Sequence, residues 1–162
     1  MTNHDDNQSN PIARSQQGWR QELKRQYEQG QLLFERNKKA LFDAIKPTDI
    51  THISVEFDGS GDSGQIESIL ASTQDEKENR PLPAIAVPYA IAGHSDGEPQ
   101  QENIALATAI ENLCYYLLEQ HQGGWEDNAG GFGCFTFDVA AGAIHLEINQ
   151  RFEDYTTTET SF

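Results

Sequence analysis

Three short runs alternate apolar and polar residues with a period of two, and they restrict the fold more than any other feature. In His52–Phe57, Ile53, Val55 and Phe57 point one way; His52, Ser54 and Glu56 point the other. Cys134–Val139 repeats the pattern with Phe135, Phe137 and Val139, and Ala143–Asn149 with Ile144, Leu146 and Ile148. A further short strand is expected near Gln65–Leu70, joined to the first by the turn-forming stretch Asp58-Gly-Ser-Gly-Asp-Ser-Gly64. Four antiparallel strands with one apolar face need helices across that face.

Two helices answer that need. Trp19, Leu23, Tyr27, Phe34, Leu41 and Ile45 recur at helical spacing across Gln16–Ile45, with Gly30 inside the pattern and Pro47 closing it. Leu106, Ile110, Leu113, Leu117 and Leu118 make a second stripe within Glu102–Gln122, before the stop Gly123-Gly124. The expected fold is α+β: a two-layer sandwich with one four-stranded antiparallel sheet of two hairpins, helices on one face, in αββ-αββ order. Residues 1–15 are polar and aperiodic and read as a disordered segment, 16–152 as a single α+β domain, and 153–162 as a flexible acidic tail. Residues 71–101 read as a long irregular connection; Ala84–Ala92 within it suits an edge strand, since Pro88 cannot donate to a central ladder.

Charge narrows the classes of partner. The net charge is -15, but residues 1–46 carry +2 and residues 47–162 carry -17. Such a body repels nucleic acid and anionic membrane, so neither is expected as a direct partner. A basic first helix lying against an acidic body of the same chain accounts for the split, and so does an oppositely charged partner. No apolar run reaches the ~20 residues of a membrane helix. The polar N-terminus lacks the form of a secretory signal. Cys114 and Cys134 have no metal-type spacing and read as buried thiols. A cytoplasmic location is expected on these grounds.

Two acidic, glycine-rich loops are the places where chemistry can be sought. Asp58, Ser60 and Asp62 match the first three ligand offsets of a calcium loop. Ser63 stands where that loop needs glycine, and Ile69 where it needs the bidentate Glu. The second loop, Gly123–Gly133, holds Trp125, Glu126, Asp127 and Asn128. If strands one and three pair antiparallel, Asp58, Asp62, Glu126 and Asp127 converge, and such a set would take calcium or magnesium. Each loop also reads as plain turn geometry. No motif calls for another cofactor.

The polar sheet face adds His52, Glu56, His145 and Glu147 as interaction candidates, with Trp125 as an anchor; a solvated face and a tryptophan folded onto the core are the structural alternatives. No Gly-x-Ser-x-Gly, His-Glu-x-x-His or Cys-x-x-Cys is present, so no catalytic assignment follows.

Val55-Glu-Phe-Asp-Gly-Ser-Gly-Asp-Ser-Gly-Gln-Ile66, Gly123-Gly-Trp-Glu-Asp-Asn128, Phe135-Thr-Phe-Asp-Val-Ala140 and Asn149-Gln-Arg151 resemble the signature blocks of an uncharacterised bacterial family, a domain of unknown function. The resemblance runs from Ile53 to Phe152. It implies a bacterial origin and brings no activity with it. Ala129 stands where the second block leads one to expect an acid.

The leading expectation is a non-enzymatic interaction or regulatory module whose partner is another protein. In that case an exposed apolar patch is expected, with the amphipathic first helix as its natural place. The alternatives are a divalent-cation-dependent carboxylate enzyme and an acidic mimic of nucleic acid that inhibits a DNA-binding partner.

Overall fold

Two helices and two antiparallel sheets make up the computed structural model, which describes residues 11–74, 80–93, 97–152, 154 and 156–161, with side chains from residue 15 onward. In chain order the elements are α1 (Pro11–Ile45), β1 (Ile50–Thr73), β2 (Ala86–Ile91), β3 (Gln100–Ala105), α2 (Leu106–His121), β4 (Asp127–Asp138) and β5 (Ala143–Gln150). One sheet has the order β1-β4-β5; the other is the pair β2-β3.

The α+β class holds and the strand expected near Gln65–Leu70 is present as the second half of β1, but the single four-stranded sheet in αββ-αββ order is not matched: the sheets are three-stranded, β1-β4-β5, and two-stranded, β2-β3. The difference arises in the stretch expected to be an irregular connection. Gln100–Ala105 pairs with Ala86–Ile91, placing Pro88 opposite Asn103. That ladder takes residues 102–105 out of the expected second helix, which begins at Leu106 instead. Cross-strand pairing outweighs local helical preference there. Residues 75–79, most of the charged run in that stretch, lie outside the described residues.

β1 doubles back on itself. Drawn out straight, its residues would reach about 80 Å. Instead Thr51 Oγ1 donates to the Ser72 carbonyl (3.2 Å) and Ser68 Oγ to Glu56 Oε2 (3.1 Å), so its two halves lie side by side. The reversal falls at Gly61, whose φ of 78° is one that glycine adopts without penalty.

The apolar faces meet as the alternation requires. Ile53, Val55, Phe57, Phe135 and Phe137 of the three-stranded sheet are buried with Leu41, Phe42 and Ile45 of α1 and Ile110, Leu113, Cys114 and Leu118 of α2. The Phe42 and Phe137 rings stand 6.2 Å apart. Asn37 ties α1 to the second sheet: its amide donates to the Ala90 carbonyl (2.8 Å) and accepts from the Ala90 N–H (2.7 Å). Both polar ends of this buried side chain are thereby satisfied.

α1 starts at Pro11, so the expected disordered segment is cut short: residues 11–15 are helical, and 1–10 lie outside the described residues. At the other end the helix closes with Thr48, whose Oγ1 donates to the Ile45 carbonyl (2.6 Å) just past Pro47. In the tail, residues 154 and 156–161 have no regular secondary structure; 153, 155 and 162 lie outside the described residues.

Candidate functional site

The antiparallel pairing of β1 with β4 brings the two glycine-rich loops to one end of the larger sheet. Asp58 faces Phe132, Gly59 faces Gly131, and Asp62 faces Asp127. Both stretches are strand rather than free loop: β1 carries Asp58–Gly64, and β4 begins at Asp127, well before the expected start at Cys134.

Packing explains much of their glycine content. The Trp125 ring lies over Gly59 and Gly64: a Cβ on Gly64 would stand 2.1 Å from the indole, and one on Gly59 2.6 Å. On its other side Trp125 meets Phe57 edge to face, with centroids 5.2 Å apart. Trp125 is only 9% exposed. Of the two readings of Trp125, the tryptophan folded onto the core is the one present: the ring clamps the two loops together, with little of it left for a partner.

The four carboxylates do not form a metal cage. Among the described residues no three His, Cys, Asp or Glu side chains are grouped as a metal ion would need. The reason is visible at Asp58. Arg151 reaches across the sheet end and donates to both its carboxylate oxygens, Nη1 to Oδ1 at 2.9 Å and Nη2 to Oδ2 at 2.6 Å. The same guanidinium donates to the Gly59 carbonyl (3.1 Å) and sits 4.7 Å from the Phe132 ring centre. The hydrogen bonds from Arg151 hold the Asp58 carboxyl below its ordinary pKa. Asp58 is thus an ionised structural partner and poorly suited to take a proton near neutrality. Asp62 and Asp127 face each other as exposed register partners, while Glu126 is half-buried beside them with one buried oxygen, Oε2, lacking a hydrogen-bond partner.

Sequence reasoning missed the Asp58–Arg151 pair, although a signal existed. Arg151 is the one basic residue after Arg80, a lone cation within a strongly acidic stretch.

The polar face of the larger sheet is arranged in rows. Glu56, Cys134 and Glu147 share one row; Ser54, Thr136 and His145 share the next; His52 faces Asp138. His52, Glu56, His145 and Glu147 are exposed. Glu56, Asp58, Glu67, Glu147, Cys134 and Asn149 line part of a shallow depression of about 330 Å³. His52 Nδ1 lies 3.2 Å from its neighbour Thr51 Oγ1. Cys134 is half-buried and not fully buried as expected, with Sγ 3.3 Å from Ser54 Oγ. Cys114 is buried, and burial pushes its thiol pKa up, which makes it inert.

A third surface lies on α1. From residue 15 to residue 29 every side chain is exposed except half-buried Glu22. Trp19 is 66% exposed, Leu23 44% and Tyr27 57%. These three share one helix face with Phe34, Leu41 and Ile45, the face that enters the core further along. The body stops near Gly30, where Tyr116 of α2 stacks on Phe34 with centroids 5.1 Å apart. No helix among the described residues is long and apolar enough to cross a membrane.

Comparison with known proteins gives a family and nothing closer. No curated protein and no solved structure matches the chain. A family model described as a family of unknown function (DUF6878) matches residues 33–162. That match covers most of the chain, starts where α1 meets the body, and includes both glycine-rich loops and Arg151; the protein belongs to DUF6878.

Proposed function

We propose that this protein is a non-enzymatic interaction module that recognises a protein partner through the apolar face of residues 15–30 of α1. One observation carries the reading. A stripe that is core at Leu41 and Ile45 continues, in phase, through Tyr27, Leu23 and Trp19, which are exposed. Isolated helices of this length are marginal in water, and most helical stability comes from packing of the apolar face. Exposed aromatic residues in one continuous patch mark docking surfaces. The acidic body supports a protein partner over nucleic acid or an anionic membrane, which it repels.

The test is a photo-crosslinking amino acid at position 23, compared with the same group at Glu28 on the opposite helix face. The proposal predicts discrete protein adducts from position 23 and none from position 28. Adducts from both positions alike, or from neither, would refute it.

A further inference from the structure

We infer that the groove between α1 and the β2-β3 hairpin binds a small organic carboxylate, its charge on Arg36 and its apolar body along the groove. Arg36 and Leu32 lie on a different face of α1 from Trp19, Leu23 and Tyr27, so this site stands apart from the docking reading.

The groove follows from how the helix meets the hairpin. Ala90 and Gln101 are register partners in the β2-β3 ladder. α1 is fastened to both strands at that one position: Asn37 exchanges two hydrogen bonds with the Ala90 backbone, and Arg36 Nη2 donates to Gln101 Oε1 (3.0 Å). Fixed walls of this kind spare a ligand the cost of ordering its own site. Next to the fastening, Leu32 and Leu33 of α1 and Ala92, Gly93 and Pro99 of the hairpin line a groove of about 340 Å³ together with Arg36. Its volume falls in the range of small-molecule sites. Leu32 is 72% exposed, so apolar surface is on offer there. On the hairpin side the wall is bare backbone at Gly93, where a Cβ would stand 2.4 Å from the Glu98 carbonyl oxygen.

Charge names the ligand. Arg25, Arg80 and Arg151 each bond a carboxylate of this chain, those of Glu22, Asp49 and Asp58. Arg36 bonds a neutral amide instead, and among the described residues it forms no salt bridge, in a chain that holds 26 acids. Gln101 thus fixes the guanidinium in place and leaves its charge uncompensated. The guanidinium offers its donors as a planar fork that matches a carboxylate. Leu32, Leu33 and Pro99 favour an apolar body behind that carboxylate. A polyanion would meet the repulsion of the acidic body at many points, whereas a single carboxylate meets chiefly the guanidinium beside it.

Titration of the full chain with 2-naphthoate, followed by amide NMR shifts, tests this. Saturable shifts are expected at Leu32, Leu33 and Arg36 and at Ala92, Gly93 and Gly97. The neutral isostere 2-naphthamide should bind about tenfold or more weakly. Arg36→Gln should weaken 2-naphthoate about tenfold or more and leave 2-naphthamide unchanged. Lys46→Gln, which removes a charge just past the end of α1, should alter neither. No saturable shift, shifts centred elsewhere, or equal affinity for acid and amide would each overturn the inference. So would an Arg36→Gln variant that binds 2-naphthoate like the parent. An equal loss of both probes in that variant would also overturn it, because the charge would then not be what holds the acid.

Discussion

The two ends of α1 carry one apolar stripe and meet opposite fates. Around Leu41 and Ile45 the stripe is fully buried under α2 and the larger sheet; around Trp19, Leu23 and Tyr27 it faces solvent. The residue types are alike and the spacing does not break. What differs is whether the rest of the chain reaches that far. Amphipathic pattern states that a helix face needs cover, and says nothing of whether the cover comes from the same molecule. The family match begins at residue 33, almost at this boundary, so the buried end belongs to the shared domain and the exposed end extends it.

The sharpest way to break the comparison is to truncate both ends alike. Leu41→Ala should cost about 2–5 kcal/mol in denaturant unfolding, because it empties a fully buried site. Leu23→Ala should stay within about 0.5 kcal/mol of the parent. Equal losses would show that the two halves of the stripe are equally covered.

Next in size is Asn37→Ala at the buried end. It strands the N–H and carbonyl of Ala90, and unfolding should show a loss of about 2 kcal/mol or more. Gly64→Ala addresses the sheet end, where the new methyl must displace the Trp125 ring; the expected cost is about 1–3 kcal/mol. Combining it with Trp125→Leu should cost less than the two single changes added together, since the variants share one contact. Strict additivity would show that the clamp is not what fixes that glycine.

The smallest effect concerns acid. Arg151 holds the Asp58 pKa below its unfolded value, so the pair supports the fold above about pH 4, where an unfolded Asp is ionised. That support fades as pH falls through the folded value. Thermal melts from neutral pH downward should show a steeper loss for the parent than for Asp58→Asn. Both side chains are partly exposed, so the difference is small. Identical profiles would show that the pair carries no pH-linked stability.

Legibility followed the range of the interactions involved. Alternation in His52–Phe57, Cys134–Val139 and Ala143–Asn149 is local, and those strands form with Ile53, Val55, Phe135 and Phe137 buried as the pattern requires. The antiparallel meeting of β1 and β4 was readable as a condition and is present. The β2-β3 pair was not, because Gln100–Ala105 has neither alternation nor β-branched residues beyond Ile104, and only its partner makes it a strand. The carboxylate set was misjudged for a related reason: proximity along a ladder ignores a distant arginine able to claim one member. Trp125 among glycines could be read as a binding anchor or as a ring folded onto the core; the second holds, because those glycines leave room for the indole to bury itself.

Amide hydrogen exchange on the full chain bears most directly on the two ends of α1. Helical amides gain protection chiefly where an apolar face is packed. The account predicts rapid exchange across residues 15–30 beside slow exchange across residues 34–45. Equally slow exchange across both stretches of the purified chain would contradict it.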